Sequence, residues 1–267
     1  MINICFWNVD LNYKADEDRI NKVNTALASL ILKRDLDILA VCEFPCTSPK
    51  FLKDRNIQNK AFVEASYLVN RNDTRLFFSK NSLKCSKTDN SIVDQDSHCV
   101  NRFLKGTYSF NMACIHLPSK LHKDENSRTI IADSVRKDII KIENNYDKNT
   151  IIVGDFNSDP YERTLQSLSG FHATMDKKYA RAGRIFNGTH YEAFYNPMWN
   201  LYGDMKKPIG TYYLNKNEDV NQYWYLLDQV ILRPDMIDVF KEESLEIIEY
   251  PIKGITDHFP IFFSISI

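Results

Sequence analysis

Short apolar runs alternate along this chain with segments of helical periodicity. Residues 2–8 alternate apolar and polar side chains and predict a strand that ends at Asn8. Over 19–34 the apolar residues recur at helical spacing, which predicts an amphipathic helix covering one face of a sheet. The same spacing predicts a second helix at about 127–145. Further strands are predicted at 37–42, 62–69, 75–80, 107–116, 150–153, 226–232 and 259–266.

Two other stretches have less regular patterns. Asp159-Pro160-Tyr161-Glu162 combines an N-cap, a proline at the first helical position and an acid three residues after the cap, so a short helix is predicted to begin there. Region 171–225 shows little periodicity and is predicted as long loops with room for one hairpin. Because no repeat or linker divides the chain, we expect a single domain, 1–267, of the α/β or α+β class.

Composition narrows the class of protein. The chain has 267 residues, of which 43% are hydrophobic and 26% charged, values typical of a globular protein with a large core. The net charge of −1 provides no overall positive field, so binding to nucleic acid or anionic lipid requires a local patch. No segment approaches the ~18 apolar residues of a membrane span, and the first residues do not resemble an export signal. The expected location is therefore cytoplasmic.

The six cysteines are predicted to be free thiols. Cys5, Cys42 and Cys114 lie within apolar runs typical of buried strands, which favours buried thiols over disulfides. Cys42 and Cys46 form a C-x-x-x-C pair without a second half, which argues against a zinc site.

Polar residues stand at or just beyond the ends of several predicted strands. Such positions hold functional side chains in α/β folds, because the sheet positions the side chain rigidly while the loops leave it accessible. The sequence therefore predicts an active site where these groups converge. The residues are Asn8, Glu43, His116, Asp155, Asn157, Asp228, Asp257 and His258.

Each of these residues also has a simpler interpretation. Asn8 can start a turn, Glu43 can be a surface acid, and His116 can be a core histidine bonded to a backbone carbonyl. Asp228 lies in an apolar strand, where an acid needs a partner, but that partner can be a backbone group or an arginine. The pairs at 155–157 and 257–258 can serve as a turn and an Asx cap.

Considered together, the sequence blocks around these residues form an ordered set that covers nearly the whole chain. They are Phe6-Trp7-Asn8, the strand ending at Glu43, Ile115-His116-Leu117, GDFNSDP at 154–160, Leu227-Asp228-Gln229-Val230 and TDHFP at 256–260. This set resembles the endonuclease/exonuclease/phosphatase superfamily, which shares its fold with pancreatic-type deoxyribonuclease. The resemblance implies an α/β (α+β) fold, a four-layer α/β/β/α sandwich of two packed mixed sheets flanked by helices.

The resemblance also implies hydrolysis of a phosphate ester with Mg²⁺ or Mn²⁺. Glu43 is implied as the main metal ligand, with Asn8 and Asp257 completing or supporting the metal environment. A hard cation is chemically reasonable, because a phosphate ester repels an attacking hydroxide until its charge is neutralised.

The same resemblance implies catalytic roles for five residues. Asp155 would orient or deprotonate the attacking water, and Asn157 would hold that water or a phosphate oxygen. His258, supported by Asp228, would act as general base or as stabiliser of the transition state. His116 would bind phosphate or assist the leaving group. Whether Asp155 or His258 accepts the proton stays open at this stage.

Substrate selection depends on other features. Lys177, Lys178, Arg181 and Arg184 form a basic stretch without an acid, which is predicted either to grip a phosphate backbone or to be a solvated loop. Arg128 is a further candidate for phosphate contact. Aromatic residues that can stack on bases or pack in the core include Tyr191, Tyr195, Trp199, Tyr212, Tyr213, Trp224 and Tyr225.

The expected function is a metal-dependent phosphodiesterase, a nuclease with DNA or RNA as substrate. GDFNS followed by Pro160 is similar to the deadenylase-like and general nuclease branches of the superfamily. Two alternatives stay open: an enzyme acting on a small phosphomonoester or a phospholipid head group, and a catalytically inactive binding module.

Overall fold

The computed structural model describes residues 1–11, 15–45, 49–66, 75–87, 97–214, 223–250 and 255–267. Within these ranges the helices are α1 (Glu17–Lys33), α2 (Arg55–Asn59), α3 (Glu125–Asn145), α4 (Arg163–Gln166) and α5 (Lys177–Ala182), and 3₁₀ turns lie at Lys50–Lys53, Pro197–Leu201 and Pro234–Met236. The strands are β1 (Ile2–Asn8), β2 (Ile38–Cys42), β3 (Phe62–Glu64), β4 (Leu76–Lys80), β5 (Lys84–Lys87), β6 (His98–Lys105), β7 (Tyr108–His116), β8 (Thr150–Asp155), β9 (Ala173–Thr174), β10 (Arg184–Phe186), β11 (Thr189–Tyr191), β12 (Phe194–Tyr195), β13 (Tyr212–Tyr213), β14 (Trp224–Tyr225), β15 (Asp228–Leu232), β16 (Phe240–Ile247) and β17 (Ile261–Ile265).

Most of the strands form two mixed sheets. The first has the order β16-β17-β1-β2-β4-β3, and the second has the order β5-β6-β7-β8-β15-β12-β9. The pairs β1–β2 and β7–β8 are parallel and lie near the middle of their sheets, whereas β8 and β15 are antiparallel. Strands β10–β11 and β13–β14 form two separate hairpins.

Three apolar layers hold the sandwich together. The inner faces of the two sheets pack on each other through residues such as Phe6 and Phe110. Helix α1 covers the outer face of the first sheet with residues that include Leu27, and α3 covers the second sheet with residues that include Ile139. All four side chains are at most 1% exposed, so each layer removes apolar surface from water. The predicted α/β/β/α architecture is confirmed.

Local capping sets the starts of the two long helices. The Asp16 carboxylate accepts a hydrogen bond from the Arg19 backbone N–H at 2.8 Å, and Asp124 accepts one from Ser127 at 2.7 Å. Each carboxylate satisfies a backbone donor that the first helical turn leaves unpaired. Both helices therefore begin two residues before the predicted starts.

The short helix predicted after Asp159 is placed wrongly, because α4 begins only at Arg163. The Asp159 carboxylate does not cap a helix but accepts from the Leu226 N–H at 2.9 Å. Glu162 Oε1 accepts from the Asp159 N–H at 3.2 Å. The segment is thus a turn tied to the loop before β15, a long-range contact that local pattern does not reveal.

Region 171–225 contains more regular structure than predicted. It includes α5, the hairpin formed by β10 and β11, the hairpin formed by β13 and β14, and strands β9 and β12 of the second sheet. Asn187 and Gly188, which connect β10 to β11, have φ values of 48° and 74°. Two positive φ values in a two-residue loop are typical of a type I′ turn, so the Asn-Gly dipeptide was a usable signal for this hairpin.

Other strands also differ from the predictions. Strands β5, β6 and β16 were not predicted, because charged residues such as Arg102 and Glu243 interrupt their apolar pattern. These strands form through hydrogen-bonded pairing with neighbouring strands. The strand predicted at 62–69 ends at Glu64, and 67–69 lie outside the described residues.

The cysteine prediction is confirmed where it can be compared. Cys5, Cys42, Cys85, Cys99 and Cys114 are free thiols, and burial raises the pKa of the Cys5 thiol to about 12. The C-x-x-x-C pair cannot be compared in full, because Cys46 lies outside the described residues. Among the described helices, none has the length and apolar content that crossing a bilayer requires.

Arg233 and Glu143 form a buried ion pair between the end of β15 and α3. Nε and Nη2 of Arg233 each lie 2.8 Å from a Glu143 carboxylate oxygen, and both side chains are 1% exposed. Glu143→Ala leaves the guanidinium buried without this partner, so we expect a loss of about 3–5 kcal/mol in the free energy of unfolding, measured with urea. The control, Glu246→Ala, breaks a half-exposed pair with Arg34 and is expected to cost about 0–1 kcal/mol. Equal losses for the two variants would contradict this prediction.

Candidate active site

Strand ends from both sheets meet at one edge of the sandwich. Strand β1 ends at Asn8, β2 leads into Glu43, β7 ends at His116 and β8 ends at Asp155. The parallel register places His116 directly opposite Asp155, and β15 begins with Asp228 opposite Asp155 on its other side. The fold therefore brings together side chains from positions up to 220 residues apart.

Gly154 allows β7 and β8 to approach closely just before the site. A Cβ atom at this position would lie 2.1 Å from the backbone oxygen of Ile115. Such a distance is far below a normal contact, so any side chain here would push the two strands apart. The glycine of the GDFN block thereby keeps His116 beside Asp155.

An acidic cluster connects the two sheets. Asn8 Nδ2 donates to Glu43 Oε1 at 3.1 Å and to Asp155 Oδ2 at 3.0 Å. His116 Nε2 lies 3.5 Å from the same oxygen of Glu43 and 3.8 Å from the same oxygen of Asp155. Two carboxylate oxygens thus converge on one point, with an amide and an imidazole beside them.

The donor chemistry of this cluster fits a hard divalent cation. Glu43 and Asp155 supply carboxylate oxygens, and the Asn8 amide, whose Oδ1 accepts from the Asp10 N–H at 3.0 Å, donates to both of them. Oxygen ligands of this kind are preferred by Mg²⁺ and Mn²⁺. Asp257 lines the same cleft, and its Oδ1 lies 3.7 Å from His258 Nε2.

His258 and Asp228 form a buried dyad beside the cluster. His258 Nδ1 lies 2.8 Å from Asp228 Oδ2, and Nε2 points toward Asp155 Oδ2 at 3.9 Å. Donor atoms of these three residues lie within 4.8 Å of one another. Because His258 and Asp228 are hydrogen-bonded to each other and Asp228 is fully buried, the two residues form a fixed acid–imidazole pair.

Backbone and side-chain hydrogen bonds fix the position of His258. The Trp7 indole N–H donates to the His258 carbonyl oxygen at 2.8 Å, and the His258 N–H donates to Thr256 Oγ1 at 3.1 Å. The Thr256 hydroxyl in turn donates to the Asn8 carbonyl oxygen at 3.0 Å. The imidazole is therefore anchored to β1, the strand that supplies Asn8.

The neighbouring carboxylates favour the charged form of the imidazole. Burial opposes that charge, but Asp228, followed by Asp155 and Asp257, outweighs burial and raises the pKa of His258 to about 10. Burial raises the pKa of Asp228 to about 6, while the imidazolium acts in the opposite direction. These carboxylates therefore favour the protonated imidazole, and His258 lines the cleft.

The GDFN block presents two polar side chains on one side of the chain. Asp155 and Asn157 both line the cleft, while Phe156 is fully buried. The block is not simply extended, because Asn157 has a φ of 47°. The Asn157 N–H donates to Asp155 Oδ1 at 2.8 Å, and its side-chain amide donates to the Leu117 carbonyl at 2.8 Å.

These groups lie in an open cleft of about 600 Å³. The lining also includes side chains that were not predicted as site residues, namely Asp10, Ser119, Lys120, Leu121, Leu214 and Leu227. Lys120 lies in the loop directly after β7, and its closeness to His116 in the sequence was the available signal. Of the seven aromatic candidates named above, Tyr212 and Tyr225 line the cleft.

The predicted substrate-binding cations lie elsewhere. Arg128 is buried, and its Nη1 donates to the Asn157 carbonyl at 2.8 Å and to Ser158 Oγ at 2.5 Å, so it braces the GDFN block from inside. Its guanidinium also contacts Glu162 at 3.3 Å. Arg128 is not among the residues that line the cleft, so its contact with a phosphate stays a prediction that this geometry does not favour.

The basic stretch forms α5 and the start of β10, not a loop. Although the stretch itself lacks acids, Lys177 pairs with Glu242 at 2.5 Å and Arg181 pairs with Asp238 at 2.7 Å. Lys178 and Arg184 are exposed. None of these four cations lines the cleft described above.

Comparisons with solved structures show the same fold. The endonuclease domain of TRAS1, a telomere-specific non-LTR retrotransposon, aligns with a TM-score of 0.59 and 11% identity over 100% of this chain and 99% of that one. D. rerio TDP2 complexed with single strand DNA product aligns with a TM-score of 0.61 and 17% identity over 100% of this chain and 99% of that one. The human Nocturnin catalytic domain with bound sulfate anion aligns with a TM-score of 0.60 and 14% identity over 99% of this chain and 94% of that one.

The sequence comparisons identify the family. Curated protein sequences gave no significant match. The model of the Endonuclease/Exonuclease/phosphatase family matches residues 5–258, which include every residue of the acidic cluster and the dyad. Members of this family are metal-dependent hydrolases of phosphate esters. With the predicted sandwich and the convergent strand ends, this match shows that the chain belongs to the endonuclease/exonuclease/phosphatase family.

Proposed function

We propose that this protein is a divalent-metal-dependent phosphodiesterase that hydrolyses nucleic acid. One observation carries the proposal: the Asp155 carboxylate lies between an oxygen-rich cluster and a charged imidazole. Asp155 Oδ2 is 3.0 Å from Asn8 Nδ2 and 3.9 Å from His258 Nε2. A phosphate ester bound at this point would meet an anionic proton acceptor and a cationic hydrogen-bond donor together.

Glu43, supported by Asn8, would hold the cation, which leaves Asp155 beside it as a proton acceptor. When bound, Mg²⁺ or Mn²⁺ would neutralise negative charge on the phosphate and so favour attack at phosphorus. The predicted participation of Asp257 is better assigned to the environment of His258, which it contacts.

The side chains divide the proton transfers between them. Asp155 accepts a proton from the attacking water as the new oxygen–phosphorus bond forms, and Asn157 borders the same position. His258 donates from Nε2 to a phosphate oxygen and stabilises the charge that develops there. His116 protonates the leaving oxygen as its bond to phosphorus breaks. The raised pKa of His258 favours Asp155 over His258 as the proton acceptor.

Two features support nucleic acid as the substrate. The cleft carries aromatic rings beside the catalytic imidazole. Two structural neighbours are an endonuclease domain and a protein complexed with a single strand DNA product. These observations favour nucleic acid over a small phosphomonoester or a phospholipid head group as the ligand of the cleft.

The test is a substrate panel with the purified protein. We expect cleavage of a DNA or RNA oligonucleotide in Mg²⁺ or Mn²⁺ and complete loss of cleavage in EDTA, because the acidic cluster repels phosphate without a cation. A nucleotide monoester and sphingomyelin vesicles serve as competing substrates. Hydrolysis of either of those without any cleavage of nucleic acid would contradict the proposal, as would binding of oligonucleotide without turnover.

A further inference from the structure

We infer that the cleft takes single-stranded nucleic acid, with an unpaired base beside the scissile phosphate packed against Tyr212 and Tyr225 and with one phosphate held by Lys120. This inference rests on the proposed function and specifies the form of nucleic acid that the site accepts.

An aromatic wall adjoins the catalytic imidazole. The ring centroid of Tyr212 lies 5.0 Å from that of His258, and the Tyr225 ring follows at 6.4 Å from Tyr212. The two tyrosines are cross-strand neighbours in the β13–β14 hairpin, and both line the cleft. Their partners along the strands, Tyr213 and Trp224, pack against each other instead at 5.0 Å. One face of the hairpin is thus directed at the reacting phosphate.

This wall is attached to the catalytic groups. The Asp228 N–H donates to Thr211 Oγ1 at 2.9 Å, and the Phe259 N–H donates to the Thr211 carbonyl at 2.7 Å. Gly210 allows the backbone to pass close to β14, since a Cβ there would lie 2.5 Å from the Tyr225 carbonyl oxygen. These contacts hold the tyrosines at a set distance from the dyad, so a base packed on them would place its phosphate in the site.

The charges of the cleft do not suit a long phosphate backbone. Four carboxylates line it, from Asp10, Glu43, Asp155 and Asp257, and Lys120 is the single lysine or arginine among the described lining residues. Proteins that hold a nucleic acid by its backbone usually neutralise several phosphates. One cation is sufficient for only one phosphate outside the metal cluster, so most of the binding energy has to come from elsewhere.

Lys120 lies between the carboxylates of Glu162 and Asp159 and the aromatic wall. Its Nζ lies 2.5 Å from Glu162 Oε1, 3.9 Å from buried Asp159 and 5.4 Å from the centroid of the Tyr225 ring. A phosphate next to a base stacked on Tyr225 would therefore lie beside this ammonium group.

Stacking requires a base with a free face. Bases within a duplex are stacked on both sides, and exposing one costs a few kcal/mol. A base in a single strand is already available, and stacking on an aromatic side chain contributes about 1–3 kcal/mol per base. The aromatic wall therefore favours unpaired over paired nucleic acid.

The decisive experiment compares two strands with identical phosphates. A 12-nucleotide thymidine strand, or uridine if the protein prefers RNA, is compared with a strand of equal length in which every base is absent. We expect kcat/KM to be about 5- to 150-fold higher for the strand with bases, the equivalent of one stacked base. Tyr225→Ala should bring the ratio of the rates on the two strands toward one, whereas Tyr225→Phe should retain the wild-type ratio.

Tyr213→Ala is the matched control, because Tyr213 lies on the other face of the same hairpin. It should leave both rates unchanged. Equal wild-type rates on the two strands, or cleavage of a duplex as fast as of the single strand, would overturn the inference and leave the proposed nuclease intact. Hydrolysis of bis(p-nitrophenyl) phosphate without cleavage of any nucleic acid would instead overturn the proposed function itself.

Salt dependence tests the single phosphate contact. At constant Mg²⁺, the contact with Lys120 should contribute about −0.7 to the slope of log kcat/KM against log salt, the value for one contact on a single strand. Lys120→Ala should remove that contribution, whereas Lys178→Ala combined with Arg181→Ala should not change the slope, because both residues lie outside the cleft. A much steeper wild-type slope that flattens in the α5 double variant would contradict the contact with Lys120 alone.

Discussion

Replacing His258 with glutamine is expected to lower kcat for phosphodiester hydrolysis by about 10²–10⁴-fold while the protein stays folded. Glutamine keeps a hydrogen-bonding group near Asp228 but cannot carry the charge that the carboxylates stabilise on the imidazole. Because that charge faces the position of the phosphate, its loss should raise the energy of the transition state more than that of the bound substrate. We therefore expect KM to change much less than kcat.

His172→Gln is the control for this variant, since His172 is also a buried histidine but lies outside the cleft. Its ring contacts the Glu192 carbonyl at 3.2 Å and the Tyr179 hydroxyl at 3.4 Å, and burial lowers its pKa. This change should lower thermal stability without a specific effect on kcat. Circular dichroism establishes that both variants are folded, and a kcat for His258→Gln within twofold of the wild type would refute the role of the imidazolium.

Glu43→Gln is expected to have a comparable effect through metal binding. Glutamine has the shape of glutamate, and its amide oxygen can still accept from Asn8, which donates to Glu43 at 3.1 Å. The change therefore removes one negative charge with little effect on packing. We expect the Mg²⁺ or Mn²⁺ concentration for half-maximal rate to rise at least about 10²-fold, since even residues that only support metal ligands contribute 10–100-fold to metal affinity.

Binding of Mn²⁺, followed by calorimetry or electron paramagnetic resonance, measures this affinity independently of turnover. Asp10→Asn is the matched control, because Asp10 also lines the cleft but pairs with Arg19 at 2.5 Å. Its metal dependence should stay near that of the wild type. If Glu43→Gln binds Mn²⁺ as tightly as the wild type, the acidic cluster is not the metal site.

The elements and residues that local chemistry controls were predictable from the sequence. The spacing of Leu27 and its neighbours was sufficient for α1, and the order of the polar blocks from Asn8 to His258 identified the family fold. The elements that were not predicted depend on distant partners. Strand β16 forms by pairing with β17. The Asp159 carboxylate, which was expected to cap a helix, accepts a hydrogen bond from the Leu226 N–H instead.

For the candidate site too, some features were predictable from the sequence and others were visible only in the folded chain. Residue types and their positions after strands were enough to list the polar residues that converge, because the chemistry of a carboxylate or an imidazole is a local property. The pairing of Asp228 with His258 was implied only by the resemblance to the family. The inward orientation of Arg128 and the pairing of the α5 cations required the folded chain. The aromatic wall also required the folded chain, since nothing in the local sequence distinguishes Tyr212 and Tyr225 from tyrosines that pack elsewhere. Contacts of this kind depend on distances between residues far apart in the chain, which the packing of the two sheets sets and no short stretch of sequence encodes.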